Sequence, residues 1–224
     1  MDRKTYELLE GYMRACVHDR AHDENHVLRV LYNALEIAET ESVDMDVLVA
    51  ACLLHDVARR EEAENPAVRH APAGAVKARA FLLENGFDEA FARRVADCIA
   101  VHSFGSGKSP EKIEEKILFD ADKLDATGAT GTLRMLLYHG QAGDPLYMVD
   151  ADGRVSDGKH DTVCNYFYEY HGMIARIEES MLTNKGRELA RQRAQTARDM
   201  YERALTEVRH SHADGKMRLD RIIR

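Results

Sequence analysis

Three observations predict an all-α fold. No stretch of the 224 residues alternates apolar and polar side chains as a half-buried strand would. Apolar residues recur instead at spacings of three and four in one segment after another. One segment, Val47 to Leu54, is apolar on nearly every side, so it should run through the centre of a helical bundle and not along its surface. No internal repeat is visible. A single domain over 1–224 is expected, with a motif core of about 20–140, a loop or lid over 141–161, additional C-terminal helices over 162–208 and a loose tail over 209–224.

In chain order, Tyr6, Leu9, Tyr12, Met13 and Cys16 give the apolar stripe of a first helix over residues 4–17. Asp23 is placed to cap a second, whose buried stripe is Val27, Val30, Leu31, Ala34, Leu35 and Ala38. His26 lies one turn before Val30 on that stripe and so points inward. The apolar third helix closes on Leu54-His55-Asp56. The charged run Arg59 to Asn65 should leave the core and break at Pro66. A helix over 71–84 follows, with His70 at its entry and Asn85-Gly86 at its end; another over 88–101 carries Phe91, Val95, Ala96 and Ile99 on one face and releases His102 at the Ser103–Gly107 turn.

Residues 111–126 form an acidic helix that contains Asp120, Asp122, Lys123 and Asp125, and Gly128 and Gly131 allow close packing or a kink before the helix at Leu133 to Tyr138. Residues 140–161 are rich in Gly and Asp without a period and read as an exposed loop, a candidate lid. Long amphipathic helices are predicted over 163–182 and 186–208, the second beneath a solvated Arg/Glu face.

Composition narrows the function classes. Hydrophobic residues make up 45% and charged residues 31%, as in a globular protein that buries a real core. No apolar run approaches the roughly 18 residues that span a bilayer, and the N-terminus has no secretory apolar segment, so a cytoplasmic protein without a membrane partner is expected. Cys16, Cys52, Cys98 and Cys164 lie far apart with no Cys-x-x-Cys pair, and read as reduced thiols. The net charge of -8 argues against nucleic-acid binding, which needs a basic face. An anionic small molecule needs only local positive charge, and a metal supplies that densely.

The His55-Asp56 doublet at the end of an apolar helix is the feature that composition does not explain. Burying an imidazole and a carboxylate side by side costs several kcal/mol, on the order quoted for unpaired buried charges, unless something cationic compensates them. A divalent ion does so, because both groups are metal ligands. Which aspartate joins them is open on spacing alone: Ile113 and Ile117 put Asp120 on the apolar face, whereas Leu118 puts Asp122 there.

The order His26, His55-Asp56 and a downstream Ala121-Asp122-Lys123-Leu124 resembles the HD-domain superfamily of metal-dependent phosphohydrolases over about residues 20–140. His22-Asp23-x-x-His26-x-x-Arg29-Val30 and Asp120 to Asp125 look most like its small YedJ/YpgQ-like bacterial branch, some of whose members are nucleotide pyrophosphohydrolases. The resemblance implies one divalent ion (Mn, Mg, Fe, Ni, Co or Zn) held by His26, His55, Asp56 and Asp122. Asp120 and Asp125 are then helix-surface groups or orient a histidine. His70 and His102 hold a second metal in some branches; otherwise they are phosphate-binding or surface histidines.

The implied activity is hydrolysis of a small phosphorylated molecule, a nucleotide in this branch, by metal-activated water. Arg29, Arg59, Lys123 and His70 are the candidates for substrate phosphate. Several branches carry an acidic residue three positions beyond the doublet as a base, where this chain has Arg59, so Asp56 or His102 takes that role here. An HD-scaffold di-iron oxygenase and a non-catalytic regulatory or ligand-binding HD module are the alternatives. His18, His22, His139, His160, His171, His210 and His212 have no placement that assigns them a function. Neither the oligomeric state nor the sugar and phosphate count of a substrate follows from the sequence.

Overall fold

The computed structural model describes residues 1–17, 23–104 and 107–223, so His18, His22 and the Gly105-Ser106 part of the turn after His102 lie outside the described residues. It is all-α: helices account for the regular structure, and the only pairing of extended backbone among the described residues is an isolated bridge between Val149 and Val155. These residues fall into two compact units, Met1–Asp125 with Met181–Arg187, and Ala126–Ser180 with Glu188–Arg224. Among the described residues no helix is long and apolar enough to cross a membrane.

The first unit holds α1 (Arg3–Cys16), α2 (Glu24–Ala38), α3 (Met45–Leu54), α4 (Arg59–Glu64), α5 (His70–Glu84), α6 (Glu89–Val101) and α7 (Ile113–Leu124). Four of them start on aspartates whose side chains accept backbone N–H groups of the first turn: Asp2 from Thr5, Asp23 from His26, Asp44 from Asp46 and Val47, and Asp88 from Phe91. Helix α3 buries seven of its ten residues and contacts α1, α2, α6 and α7, which is the central position its all-round apolar pattern requires. The charged run after it leaves the core as expected, with no buried residue, and forms the short helix α4 before breaking ahead of Pro66. Helix α5 passes close to the end of α3 at Gly74, where a Cβ would lie 3.2 Å from the His55 carbonyl oxygen.

The second unit holds α8 (Gly128–Ala142), α9 (Tyr166–Gly172), α10 (Ile177–Ser180) and most of α11 (Asn184–Ile222), which begins in the first unit. Its core is aromatic: Tyr166, Phe167, Tyr170 and Tyr201 pack with Met135, Val155, Ile174 and Ala197, and Tyr170 stacks on Tyr201 with ring centroids 4.0 Å apart. The single helix predicted over 163–182 is broken. Asn165 caps α9 late by accepting from the Phe167 and Tyr168 N–H groups, α9 stops at Gly172, and a 3-10 turn, Ile174–Arg176, carries Ile174 into the core. The Gly/Asp-rich segment lacks regular structure, yet Val155 is buried in the aromatic cluster and Gly158, at φ +89°, lies against the Phe167 backbone. Beyond Arg209, where a loose tail was expected, α11 continues as helix to Ile222.

Candidate functional site

Helix ends build the site. His55 and His102 are the C-cap residues of α3 and α6, and the last carbonyls of a helix have no intrahelical partner. Each imidazole takes one of them: His55 Nδ1 donates to the Cys52 oxygen at 2.8 Å and His102 Nδ1 to the Ile99 oxygen at 2.6 Å. His26, in the first turn of α2, donates from Nδ1 to Asp125 Oδ2 at 2.7 Å, and His70, opening α5, donates from Nδ1 to Glu62 Oε2 at 2.7 Å. With a proton directed from every Nδ1 to its acceptor, each ring in its neutral form presents an Nε2 lone pair.

Those four nitrogens surround one carboxylate. Asp56 Oδ2 is 3.5 Å from both His26 Nε2 and His55 Nε2, while Asp56 Oδ1 is 3.6 Å from His102 Nε2 and 4.0 Å from His70 Nε2. The two sets, His26 with His55 and Asp56, and His70 with His102 and Asp56, each bring three metal-ligating atoms within 4.8 Å of one another. Asp122 joins the first set, its Oδ1 being 3.6 Å from His26 Nε2. All six side chains are buried.

Asp120, the other aspartate that spacing had allowed, faces elsewhere in the same unit: its carboxylate accepts from the Leu182 N–H, the Thr183 N–H and the Thr183 hydroxyl at 2.7–2.8 Å, and so anchors the start of α11. Two positions apart on one helix, Asp120 and Asp122 thus face different partners.

The cationic candidates are all engaged. Arg29 grips Asp125 through Nε and Nη2 at 2.7 and 3.1 Å, so it braces the carboxylate that orients His26. Arg59 places Nε 2.8 Å from Asp56 Oδ1 and Nη1 3.3 Å from Glu62 Oε2. Lys123 bonds Asp122 Oδ2 at 2.6 Å and the His102 carbonyl at 3.0 Å, and its ammonium lies over the rings of Phe104 and Phe119.

Glu62 as the partner of His70, and Lys77, which bonds the Val57 carbonyl beyond the doublet, were not singled out in the sequence. The available signal for Glu62 was its acidic side chain eight residues before His70 and three after Arg59. The Cys52 and Ile99 carbonyls were legible only as the position three residues before a histidine that caps a helix.

Electrostatics follow from this geometry. Burial opposes ionisation of Asp56 and Asp122, yet Arg59 and His55 hold the Asp56 carboxyl well below the ordinary carboxylate range, and Lys123 with His26 does the same for Asp122. Burial opposes a charge on His55, and Asp56 beside it outweighs that and raises its proton affinity. Burial, then the Arg59 charge, pushes His70 down to about 4, and burial followed by His55 also lowers His102.

A divalent cation fits the donors present. Asp56 Oδ2, His70 Nε2 and His102 Nε2 are buried without a hydrogen-bond partner, an arrangement of acceptors facing acceptors that a cation resolves and a neutral core does not. His26, His55, Asp56 and Asp122 are the residues that would hold it.

Comparison with known proteins gives the family. The HD domain family matches residues 24–127. The uncharacterized protein YpgQ of Bacillus subtilis (strain 168) is 30% identical over 196 residues, which span 85% of this chain and 87% of that protein. The crystal structure of Bacillus subtilis YpgQ in complex with ADP shares the fold, with TM-score 0.71 and 24% identity over 91% of this chain and 97% of that one. A predicted HD superfamily hydrolase from an uncultured Thermotogales bacterium superposes with TM-score 0.60 at 29% identity, covering 92% of this chain and 91% of its own. With a histidine on α2, a His-Asp pair closing α3 and an aspartate on α7 gathered at one point, this chain belongs to the HD-domain superfamily of hydrolases, in its YpgQ-like branch.

Proposed function

We propose that the protein is a metal-dependent phosphohydrolase acting on a small phosphorylated molecule, a nucleotide, by attack of an activated water. The observation that carries this reading is the buried Asp56 carboxylate ringed by four imidazole Nε2 atoms, each oriented through its Nδ1. Four such groups in a silent core would each raise the free energy of folding for no return in packing. The nucleotide class is supported by the ADP complex of Bacillus subtilis YpgQ.

In this scheme His26, His55, Asp56 and Asp122 would hold the cation, and the Asp125–His26 and Cys52–His55 hydrogen bonds keep the two rings in the tautomer that leaves Nε2 available. When bound, the cation supplies a Lewis acid that makes a water more acidic and offsets charge on the phosphate. His102, kept neutral by burial with an unpaired Nε2, accepts the proton of the attacking water, and Asp56 orients that water. Arg59 stabilises phosphate oxygens beside that carboxylate edge, His70 accepts from a substrate or water hydroxyl there through its unprotonated Nε2, and Arg29, whose side chain is 36% exposed, reaches substrate from the side of α2. Lys123 acts through Asp122 and the His102 backbone.

A second reading, an HD-scaffold di-iron oxygenase, draws on the Asp56–His70–His102 donor set. The test is metal content of the purified chain, followed by a screen of nucleoside mono-, di- and triphosphates with several divalent ions, scored separately for orthophosphate and pyrophosphate. Metal-dependent release of either product supports the proposal. A folded, metal-loaded chain that hydrolyses none of them, or that consumes oxygen with two irons bound, overturns it.

A further inference from the structure

We propose that Phe104 is the platform on which the base of a bound nucleotide stacks, with the Lys123 ammonium joining this ring to the Asp122 carboxylate. This rests on the nucleotide-hydrolase reading of the site. Single exposed apolar side chains are ordinary on a protein surface, so exposure alone assigns nothing to Phe104. What sets it apart is how the ring is held. It follows the His102 C-cap of α6 by two residues and is 48% exposed. The ring nevertheless meets Phe119 edge-to-face, with centroids 5.3 Å apart and planes at 89°, and the Lys123 ammonium lies 4.8 Å from its centroid. Phe119 and Lys123 are both buried, so the open side of the ring faces away from them. Two buried contacts thus fix the orientation of a ring that solvent reaches.

The same ammonium ties the ring to the site. Lys123 Nζ bonds Asp122 Oδ2 at 2.6 Å and the His102 carbonyl at 3.0 Å, so one cation touches the exposed ring, the Asp122 carboxylate and the backbone of His102. Two short contacts, of 2.6 Å and 4.8 Å, separate the Asp122 oxygen from the ring centroid, a span that a nucleotide covers between a phosphate and its base. An aromatic face at that distance suits a base, because every base has a π-face and stacks on aromatic side chains. Stacking uses the face of the base and not its edge. The platform therefore selects a nucleoside phosphate over a base-free one and does not choose among bases.

The distinguishing measurement is binding of two non-hydrolysable probes that differ by a nucleoside, α,β-methylene-ADP and methylenediphosphonate. Each is titrated calorimetrically into the full-length protein supplemented with Mn(II). Wild type should bind the nucleotide analogue about tenfold or more tighter than the diphosphonate, the size of effect expected of one base–aromatic stack. Phe104→Ala should remove that advantage by weakening the nucleotide analogue alone, and Phe104→Tyr should keep it. The chain contains no tryptophan, so Phe104→Trp installs a single reporter at the proposed platform. Its fluorescence should be quenched by the nucleotide analogue and not by the diphosphonate.

Equal affinity of wild type for the two probes would overturn the inference while leaving a phosphate-binding centre in place. A folded Phe104→Ala that keeps the nucleotide advantage would overturn it too, as would one that weakens both probes alike, since the ring would then act only through Lys123. The tryptophan variant holds the inference to account even if Phe104→Ala does not fold: emission that responds equally to both probes, or to neither while both bind, defeats the stack. Wild type that binds neither probe would remove the phosphohydrolase reading itself and this inference with it, an outcome separate from equal binding.

Discussion

Compare what the two units hide from water. Among the described residues the first buries His26, His55, Asp56, His70, His102, Glu114, Glu115, Asp120, Asp122, Lys123 and Asp125, whereas the buried polar side chains of the second, tyrosines apart, are the neutral Thr127, Thr132 and Asn165. Both fold as packed helices, so helix formation does not require buried charge. The second unit fills its core with Phe167 and the stacked Tyr170 and Tyr201, and Tyr201 donates its hydroxyl to the Asp157 carbonyl. Several charged groups of the first unit instead converge on Asp56. Buried ionisable groups such as Asp120 and Glu115 are satisfied by backbone N–H groups, whereas Asp56 Oδ2 and the His70 and His102 Nε2 atoms are left without a partner, and that is the difference a bound ligand accounts for in the proposed function.

The sharpest way to break that contrast is at its centre. Asp56→Ala is expected to remove metal and to lower kcat/KM for phosphate release by about a thousandfold or more, because it takes a ligand and the water-orienting group together. Full activity with stoichiometric metal in that variant would end the assignment. A large effect of the opposite kind is expected in the second unit. At Gly158 a Cβ would lie 2.1 Å from the Phe167 carbonyl carbon, and the backbone is left-handed, so Gly158→Ala should destabilise by about 3 kcal/mol or more in thermal or urea unfolding. Metal bound per folded chain should not change.

The contrast was legible in the sequence to different depths. Helix α3 was clear because its residues are apolar all round, and His26, His55 and Asp56 followed from their places on or after apolar faces. Asp122 was not separable from Asp120 by periodicity, since the helix buries every residue from Ile117 to Leu124 and that run has no exposed face to give the phase; tertiary contact of Asp120 with Thr183, sixty-three residues away, decides it. The break after α9 was hidden for a similar reason. Apolar residues keep helical spacing through Ile174 and Ile177, and only the demands of the aromatic core show that the chain turns there. The orienting carbonyls of Cys52 and Ile99 leave almost no sequence mark, because any residue supplies a carbonyl.

A smaller, graded effect should sharpen the comparison. Asp125 receives His26 Nδ1 and both Arg29 contacts without touching the metal position itself. Asp125→Asn keeps the shape but weakens the tie on the ring, so metal affinity is expected to fall about tenfold to a hundredfold in a chelator competition. Arg29→Ala should move it in the same direction and by less. If Asp125→Asn leaves the affinity unchanged, the ring is held by packing and not by this bond.

The weakest expected effect belongs to the second unit and depends on pH. Tyr201 donates its hydroxyl proton to the Asp157 carbonyl at 3.0 Å, so its oxygen accepts from His171 Nε2 at 2.9 Å. Burial, reinforced by Lys159, lowers the His171 pKa below its ordinary 6.5, and Asp157 only partly opposes this. The folded state therefore binds a proton on His171 less readily than the unfolded chain does. Stability from this source is complete above about pH 6.5 and is lost as the pH falls below it. Acidifying from pH 7.5 to 5.5 should lower the unfolding midpoint of the tyrosine near-UV signal, and His171→Gln should flatten that contribution. Tyr201→Phe, which removes the acceptor and the Asp157 bond together, should cost about 1 kcal/mol at neutral pH. Neither change should alter metal content, because no ionisable group of that aromatic core is a member of the Asp56 cluster.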